Sequence, residues 1–150
     1  MVCHSRTKET SMRTLSVLKP DFAKRGGLVT VVAQDVKTKE VLMVAYTDEA
    51  GWLKTLETGL GCYYSTSRKK SWVKGEESGN FQKVVDMLID CDGDALIYLV
   101  EPQGSGVACH TNARSCFYRH VTGKIADDPA PKAGEAEVLP FVDATVHLNF

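Results

Sequence analysis

The sequence predicts an α+β fold dominated by strands, with mixed sheets in a pseudo-barrel-like arrangement and one or two helices. Three observations carry that expectation. Apolar or β-branched runs of strand length recur at residues 28–34 (LVTVVAQ), 41–46 (VLMVAY) and 95–100 (ALIYLV). One stretch alone, following Asp48, joins a cap, early acids and an apolar face into a convincing helix. The 150 residues, 43% of them hydrophobic, suffice for one domain with its own core and fall short of two.

Taken in order, residues 1–12 are polar and aperiodic, so a disordered leader is expected, with Met12 a second candidate start and the domain itself spanning 13–120. Residues 28–34 and 41–46, separated by a polar stretch, form a hairpin whose continuous apolarity implies burial. Thr47 or Asp48 caps the helix; Trp52, Leu53 and Leu56 form its inner face and Gly59 stops it. Residues 62–65 read as a strand, 67–80 as a long polar loop, and 83–89 and 95–100 as two buried strands flanking an acidic turn. Residues 121–150 begin as a linker containing Pro129, Pro131 and Gly134. They end in a strict alternation, Val142, Ala144, Val146, Leu148 and Phe150 facing one way, which predicts a terminal strand laid on the body rather than a frayed tail.

Composition excludes several classes. No apolar run approaches the roughly 18–20 residues of a membrane span, and the N-terminus has no apolar signal core, so a soluble cytoplasmic protein with no membrane partner is expected. The net charge of -1 conceals opposed fields. Residues 1–25 carry six Lys/Arg against two acids, and residues 68–83 carry five against Glu76 and Glu77. Residues 84–113 hold five acids and no Lys or Arg. A basic stretch beside an acidic one suits an anionic ligand next to a carboxylate-held cation; solvated surface charge is the plainer alternative.

Three groups of residues carry chemistry. Asp90, Asp92 and Asp94 stand at alternate positions, so in an extended segment they share a face and converge on a hard cation such as Mg²⁺, with Cys91 on the other face. An exposed acidic turn is the competing reading. An EF-hand is not, because Ala95 stands where its glycine is required and the flanks read as strands. Second, the five cysteines, at 3, 62, 91, 109 and 116, include no CxxC pair, and without a secretion signal they suggest a metal site or free thiols over disulfides. Cys3 lies in the polar leader and Cys62 reads as a buried structural thiol, leaving Cys91, Cys109 and Cys116 as a candidate zinc trio with an open fourth position. His110 adjoins Cys109 as a candidate general base, against the commoner structural role of a lone histidine. Arg114 and Arg119 are candidate phosphate contacts, or serve solubility alone. Third, residues 65–79 interleave hydroxyls, glycines and cations, a pattern that can wrap phosphate, with Trp72 available to stack on a base. Nucleic-acid binding is disfavoured by the near-neutral total charge and the acidic neighbour.

In one order along residues 18–119, the chain resembles the phosphoribosyl-AMP cyclohydrolase family of histidine biosynthesis. The resemblance rests on Val41-Leu42-Met43, Tyr64-Ser65, Ser67-Arg68, Trp72, Lys74-Gly75-Glu76, Ser78-Gly79, Gln82-Lys83-Val84, the run 90–94 (DCDGD), Ala108-Cys109-His110-Thr111 and Ser115-Cys116-Phe117-Tyr118-Arg119. It implies a zinc enzyme with a magnesium requirement, working as an intertwined homodimer. It places zinc on Cys91 of one subunit and Cys109 and Cys116 of the other, magnesium on Asp90, Asp92 and Asp94, and a catalytic role on His110. It further implies attack of zinc-bound hydroxide on carbon 6 of an adenine nucleotide substituted at ring nitrogen 1, opening the ring. Ser67, Arg68, Trp72, Lys74, Glu76, Ser78 and Arg114 are the expected substrate and phosphate contacts.

Two positions depart from the pattern: Asn112-Ala113 where the family usually has glycine, and Ser71 where an apolar residue is common. Residues 121–150 have no recognised counterpart and are too few for the pyrophosphohydrolase domain some relatives carry, so that step is expected in a separate protein. A nucleobase deaminase, which attacks the same carbon, is excluded by the absent H-x-E and P-C-x-x-C signature. A zinc-stabilised nucleotide or RNA-binding module is the non-enzyme alternative.

Overall fold

The fold is that of a computed structural model, which describes residues 17–119; the leader over 1–12 and the linker and terminal strand expected over 121–150 lie outside the described residues. Six strands, β1 (Leu28–Asp35), β2 (Val41–Asp48), β3 (Cys62–Ser65), β4 (Lys70–Val73), β5 (Gln82–Ile89) and β6 (Ala95–Pro102), form one mixed sheet in the order β4-β3-β2-β1-β6-β5. β1 (Leu28–Asp35) and β2 (Val41–Asp48) make the expected antiparallel hairpin. In β1 the residues alternate between half-buried and buried, so Val29, Val31 and Ala33 all enter the core with no exposure. β6 (Ala95–Pro102) lies parallel to β1, the single parallel pair in the sheet, while β5 (Gln82–Ile89) runs antiparallel to β6. β3 (Cys62–Ser65) pairs with β2.

The sheet curls into a half-barrel. The segment just before β3 bonds to β5, Gly61 N–H donating to the Gln82 carbonyl at 2.9 Å and Val84 N–H to the Gly59 carbonyl at 2.8 Å, so the two flanks of the sheet meet. Inside the curl, Tyr63 packs on Tyr98 and Trp72 with ring centroids 5.9 and 5.3 Å apart. Leu42, Leu96 and Val100 complete the core around them. The pseudo-barrel-like expectation thus corresponds to a single curled sheet rather than several.

Three expectations are corrected. The polar loop predicted over 67–80 contains a short edge strand, β4 (Lys70–Val73), paired along its length with β3. Its polarity is that of an edge, where outward side chains meet water. The helix α1 (Glu49–Thr58) is capped as predicted, the Asp48 carboxylate accepting from Gly51 N–H at 2.8 Å, and ends at Gly59. Its inner face, however, is Gly51, Trp52 and Thr55, while Leu53 and Leu56 are 50% and 43% exposed. β5 was expected to be buried and is instead the opposite edge strand, with Val85 and Leu88 exposed. A short 3-10 turn, Phe22–Arg25, precedes β1 and packs Phe22 against Trp52.

Candidate functional site

The acidic turn connects β5 to β6. Asp90 Oδ1 accepts from Asp94 N–H at 3.0 Å and from Ala95 N–H at 3.2 Å, so the segment is a tight turn and not the extended run that the alternate spacing suggested. The turn itself brings the three carboxylates together, with ligand oxygens of Asp90, Asp92 and Asp94 all within 4.8 Å of one another. Asp94 is buried whereas Asp90 and Asp92 are exposed. The 3-10 turn docks here through Asp21 N–H to the Gly93 carbonyl, 2.8 Å, and delivers two cations. Lys24 Nζ lies 2.8 Å from Asp92 Oδ2, and Arg25 Nε 2.7 Å from Asp94 Oδ2. The Lys24 hydrogen bond, more than any other contact, holds the Asp92 carboxyl down at about 2. Three hard oxygen donors within reach of one point fit a magnesium ion, which would compete with Lys24 for Asp92.

The second group lies on the irregular segment after β6. Cys109 N–H donates to the Ala113 carbonyl (3.1 Å) and Ala108 N–H to the Arg114 carbonyl (3.1 Å), folding residues 108–114 into a closed loop. Ser115 Oγ donates to the Val41 carbonyl and Cys116 N–H to the Leu42 carbonyl, each at 2.7 Å, which pins the loop to the start of β2. Cys109 is buried, Cys116 and His110 exposed. Burial pushes the Cys109 thiol up, but the Thr111 hydroxyl at 3.0 Å, the Thr111 amide, Cys116 and the Lys74 ammonium together bring it below the ordinary value. Burial and then the neighbouring Cys109 push Cys116 up to about 11. Two neighbouring thiols, the acidity of one increased by its hydrogen-bond donors, suit a soft-ligand metal such as zinc.

Cys91 does not join them. It sits in the 90–94 turn, next to where Ala95 lies beside Thr30, whereas Cys116 bonds to Leu42 near the far end of β1. At about 3.3 Å of rise per strand residue, the two groups are on the order of 15 Å apart within one chain. Among the described residues the acids form the one cluster of three potential metal ligands.

The expected substrate contacts are distributed over the β3–β4 hairpin and the loop after it. Ser67 and Arg68 occupy the hairpin turn, where Arg68 N–H donates to Ser65 Oγ at 3.2 Å. Trp72 is half-buried, one part of its ring committed to Tyr63. Lys74 is brought close enough to act on both Cys109 and Cys116, while Glu76 and Ser78 are exposed. Asn80, for which the sequence offers no signal, laces this loop to the segment leading from β6 into the cysteine loop: its Oδ1 accepts from both Ser105 N–H and Ser105 Oγ at 2.9 Å. Arg114 is engaged on the β1–β2 turn, with Nε 2.8 Å from Glu40 and Nη2 3.3 Å from Asp35.

The family model described as Phosphoribosyl-AMP cyclohydrolase matches residues 43–118, just over half of the chain. A phosphoribosyl-AMP cyclohydrolase of Archaeoglobus fulgidus is 59% identical over 97 residues, covering 65% of this chain and 88% of that protein. The chain belongs to the phosphoribosyl-AMP cyclohydrolase family. A second cyclohydrolase, from Desulforapulum autotrophicum, is 51% identical over 109 residues, 73% of this chain and 85% of its own length. The histidine biosynthesis bifunctional protein HisIE of Aquifex aeolicus is 53% identical over 83% of this chain, which spans 58% of that longer protein.

Both departures from the cyclohydrolase pattern have a structural reading. Asn112 adopts φ +66°, the left-handed conformation that glycine accepts freely and asparagine tolerates better than other side chains, so the loop between Cys109 and Cys116 keeps its closure. Ser71 is an exposed residue of the edge strand β4, where a polar side chain is at home. The residues missed by sequence, Lys24, Arg25, Asn80 and Asp35, all act across long separations. For Asp35 alone a local signal existed, an aspartate ending a strand ahead of a polar turn.

Proposed function

We propose that this chain is a phosphoribosyl-AMP cyclohydrolase, opening the adenine ring of 1-(5-phosphoribosyl)-AMP between nitrogen 1 and carbon 6 to give the formimino carboxamide ribonucleotide of histidine biosynthesis. The observation that carries the reading is the closed loop 108–114 and its tie to β2, which set Cys109 and His110 beside Cys116, with the segment leading into the loop bonded through Asn80 to the loop of Lys74, Glu76 and Ser78. Cys109 and Cys116, with the partner subunit's Cys91, would hold zinc. When bound, zinc supplies a Lewis acid that makes water nucleophilic near neutral pH.

Exposed beside Cys109, His110 removes a proton from the attacking water. The water oxygen bonds to carbon 6 of the neutral imino form of the ring, the bond from carbon 6 to nitrogen 1 breaks, nitrogen 1 receives the proton that His110 took, and the water's second proton passes to the exocyclic nitrogen, leaving a carboxamide. Arg68 and Lys74 neutralise phosphate, Ser67, Ser78 and Glu76 bind hydroxyl and phosphate oxygens, and the open part of Trp72 lies against the base. Asp90, Asp92 and Asp94 would hold magnesium on the remaining phosphate. Homodimer formation is supported by the separation of Cys91 from the other two thiols. It is also supported by the apolar groove of about 480 Å³ between α1 and β5, rimmed by exposed Leu56, Val85 and Leu88.

The full-length protein, supplied with Zn²⁺ and Mg²⁺, is expected to convert phosphoribosyl-AMP with a near-ultraviolet change as purine becomes imidazole, at one zinc per chain. Binding of the nucleotide without conversion would sink the enzyme reading and favour a zinc-stabilised binding module.

A further inference from the structure

Arg114 stands between Cys109 and Cys116 in the chain, and its guanidinium engages the β1–β2 turn. Nε donates to Glu40 Oε2 at 2.8 Å; Nη2 donates to Thr38 Oγ1 at 3.2 Å and faces Asp35 Oδ2 at 3.3 Å. Asp35 is the buried anchor of that turn. Its other oxygen, Oδ1, accepts from Lys37 N–H at 2.8 Å and Thr38 N–H at 3.0 Å, so one carboxylate organises the turn and receives the arginine together. Arg114's own carbonyl accepts from Ala108 N–H, and the next residue, Ser115, bonds to the Val41 carbonyl. The neck of the loop is therefore fastened by backbone on one side and by the guanidinium fork on the other.

Two carboxylates flank this guanidinium, which makes its surroundings poor for phosphate, and its planar fork is already engaged. Its side chain is 52% exposed, and exposed ion pairs add little to global stability. The consequence is geometric: without the fork, Ser115 and Cys116 still tie the loop to β2, but the tie that fixes its angle against the β1–β2 turn is gone. Resting on the reading of Cys109 and Cys116 as zinc ligands, we infer that Arg114 is a positioning residue that orients the two thiols and His110 through Asp35 and Glu40, and not a phosphate contact. Outer partners of this kind alter metal affinity or activity by about 10- to 100-fold when removed.

The test uses the full chain with Arg114→Met, Arg114→Lys and Glu40→Gln. Zinc affinity, measured by competition with a chromogenic chelator, is expected to fall at least about tenfold in Arg114→Met, with kcat lowered and KM for phosphoribosyl-AMP unchanged. Arg114→Lys retains the charge without the fork and should recover only part of the loss; Glu40→Gln, which leaves the Asp35 turn intact, should show a smaller fall of the same kind. Amide hydrogen exchange on the metal-free protein supplies the separate readout. Exchange at Cys109 and Cys116 should accelerate in Arg114→Met while amides of β1 and β6 keep their rates, which also shows the variant folded. A raised KM with unaltered zinc affinity, or unaltered exchange at both cysteines, overturns the positioning role. Wild-type protein that binds no zinc while its variant still shows the accelerated exchange overturns the ligand reading instead.

Discussion

Asp92 is an exposed carboxyl whose acidity is set by one distant lysine. Lys24 Nζ sits 2.8 Å away, and its hydrogen bond is the largest of the influences that lower the group to about 2. Because the folded value lies below the unfolded one of about 3.9, the ionised pair favours the fold above pH 4 and this contribution disappears as pH falls through about 2. Lys24→Met should return Asp92 toward the ordinary carboxylate range, read as a shifted midpoint in a carboxyl-carbon NMR titration without added metal. An unshifted midpoint would show that Asp90 and Asp94, rather than Lys24, set the value. At this scale the sequence displayed the acids and the thiols, because their chemistry is intrinsic to the side chain. It did not display Lys24 or Arg25 as their partners. Nothing in local spacing reports a pairing made across 68 or 69 residues.

Elements were legible where periodicity decides them and obscure where an edge does. The β1–β2 hairpin and the capped helix follow from local facts, two apolar runs about a polar turn and an Asp48 carboxylate, although the burial expected of the second run fails at Val41, Val44 and Tyr46, which are exposed. β4 was hidden because an edge strand presents the polarity of a loop, and β5 was assigned too much burial because an apolar run cannot say whether a neighbour covers it. The loop after β4 has a sharper test. Gly75 and Gly79 both have positive φ, at +91° and +77°, but an added Cβ runs into the backbone of Asn80 and Phe81 in the first and meets nothing within 4 Å in the second. Gly79→Ala should therefore cost about 1 kcal/mol, the conformational penalty alone. Gly75→Ala must also displace backbone beside Lys74 and should cost about 3 kcal/mol. Urea unfolding monitored by tryptophan fluorescence separates the two; equal costs would mean that the loop yields without resistance.

At the scale of the whole molecule, the described sheet holds Cys91 at one end and Cys109 with Cys116 at the other. The sequence made these three prominent as residues, and only the topology shows that a single chain keeps them apart. A shared site makes a quantitative demand. In a twofold-symmetric dimer each site takes Cys91 from one subunit and the thiol pair from its partner. Homodimers of Cys91→Ala and of Cys109→Ala then have no complete site. A heterodimer of the two has one site broken twice and one fully intact. Subunit exchange in an equimolar mixture gives half heterodimers, each with one working site of two, so activity should return to about a quarter of wild type. Zinc should reappear in the same proportion. A mixture that stays inactive after exchange has been demonstrated, for instance by mass spectrometry of differently tagged chains, would place each site within a single chain and contradict the separation seen here. Recovery near a quarter would make the pair of chains the catalytic unit, with the curled sheet serving to keep the two halves of each site apart until a partner joins them.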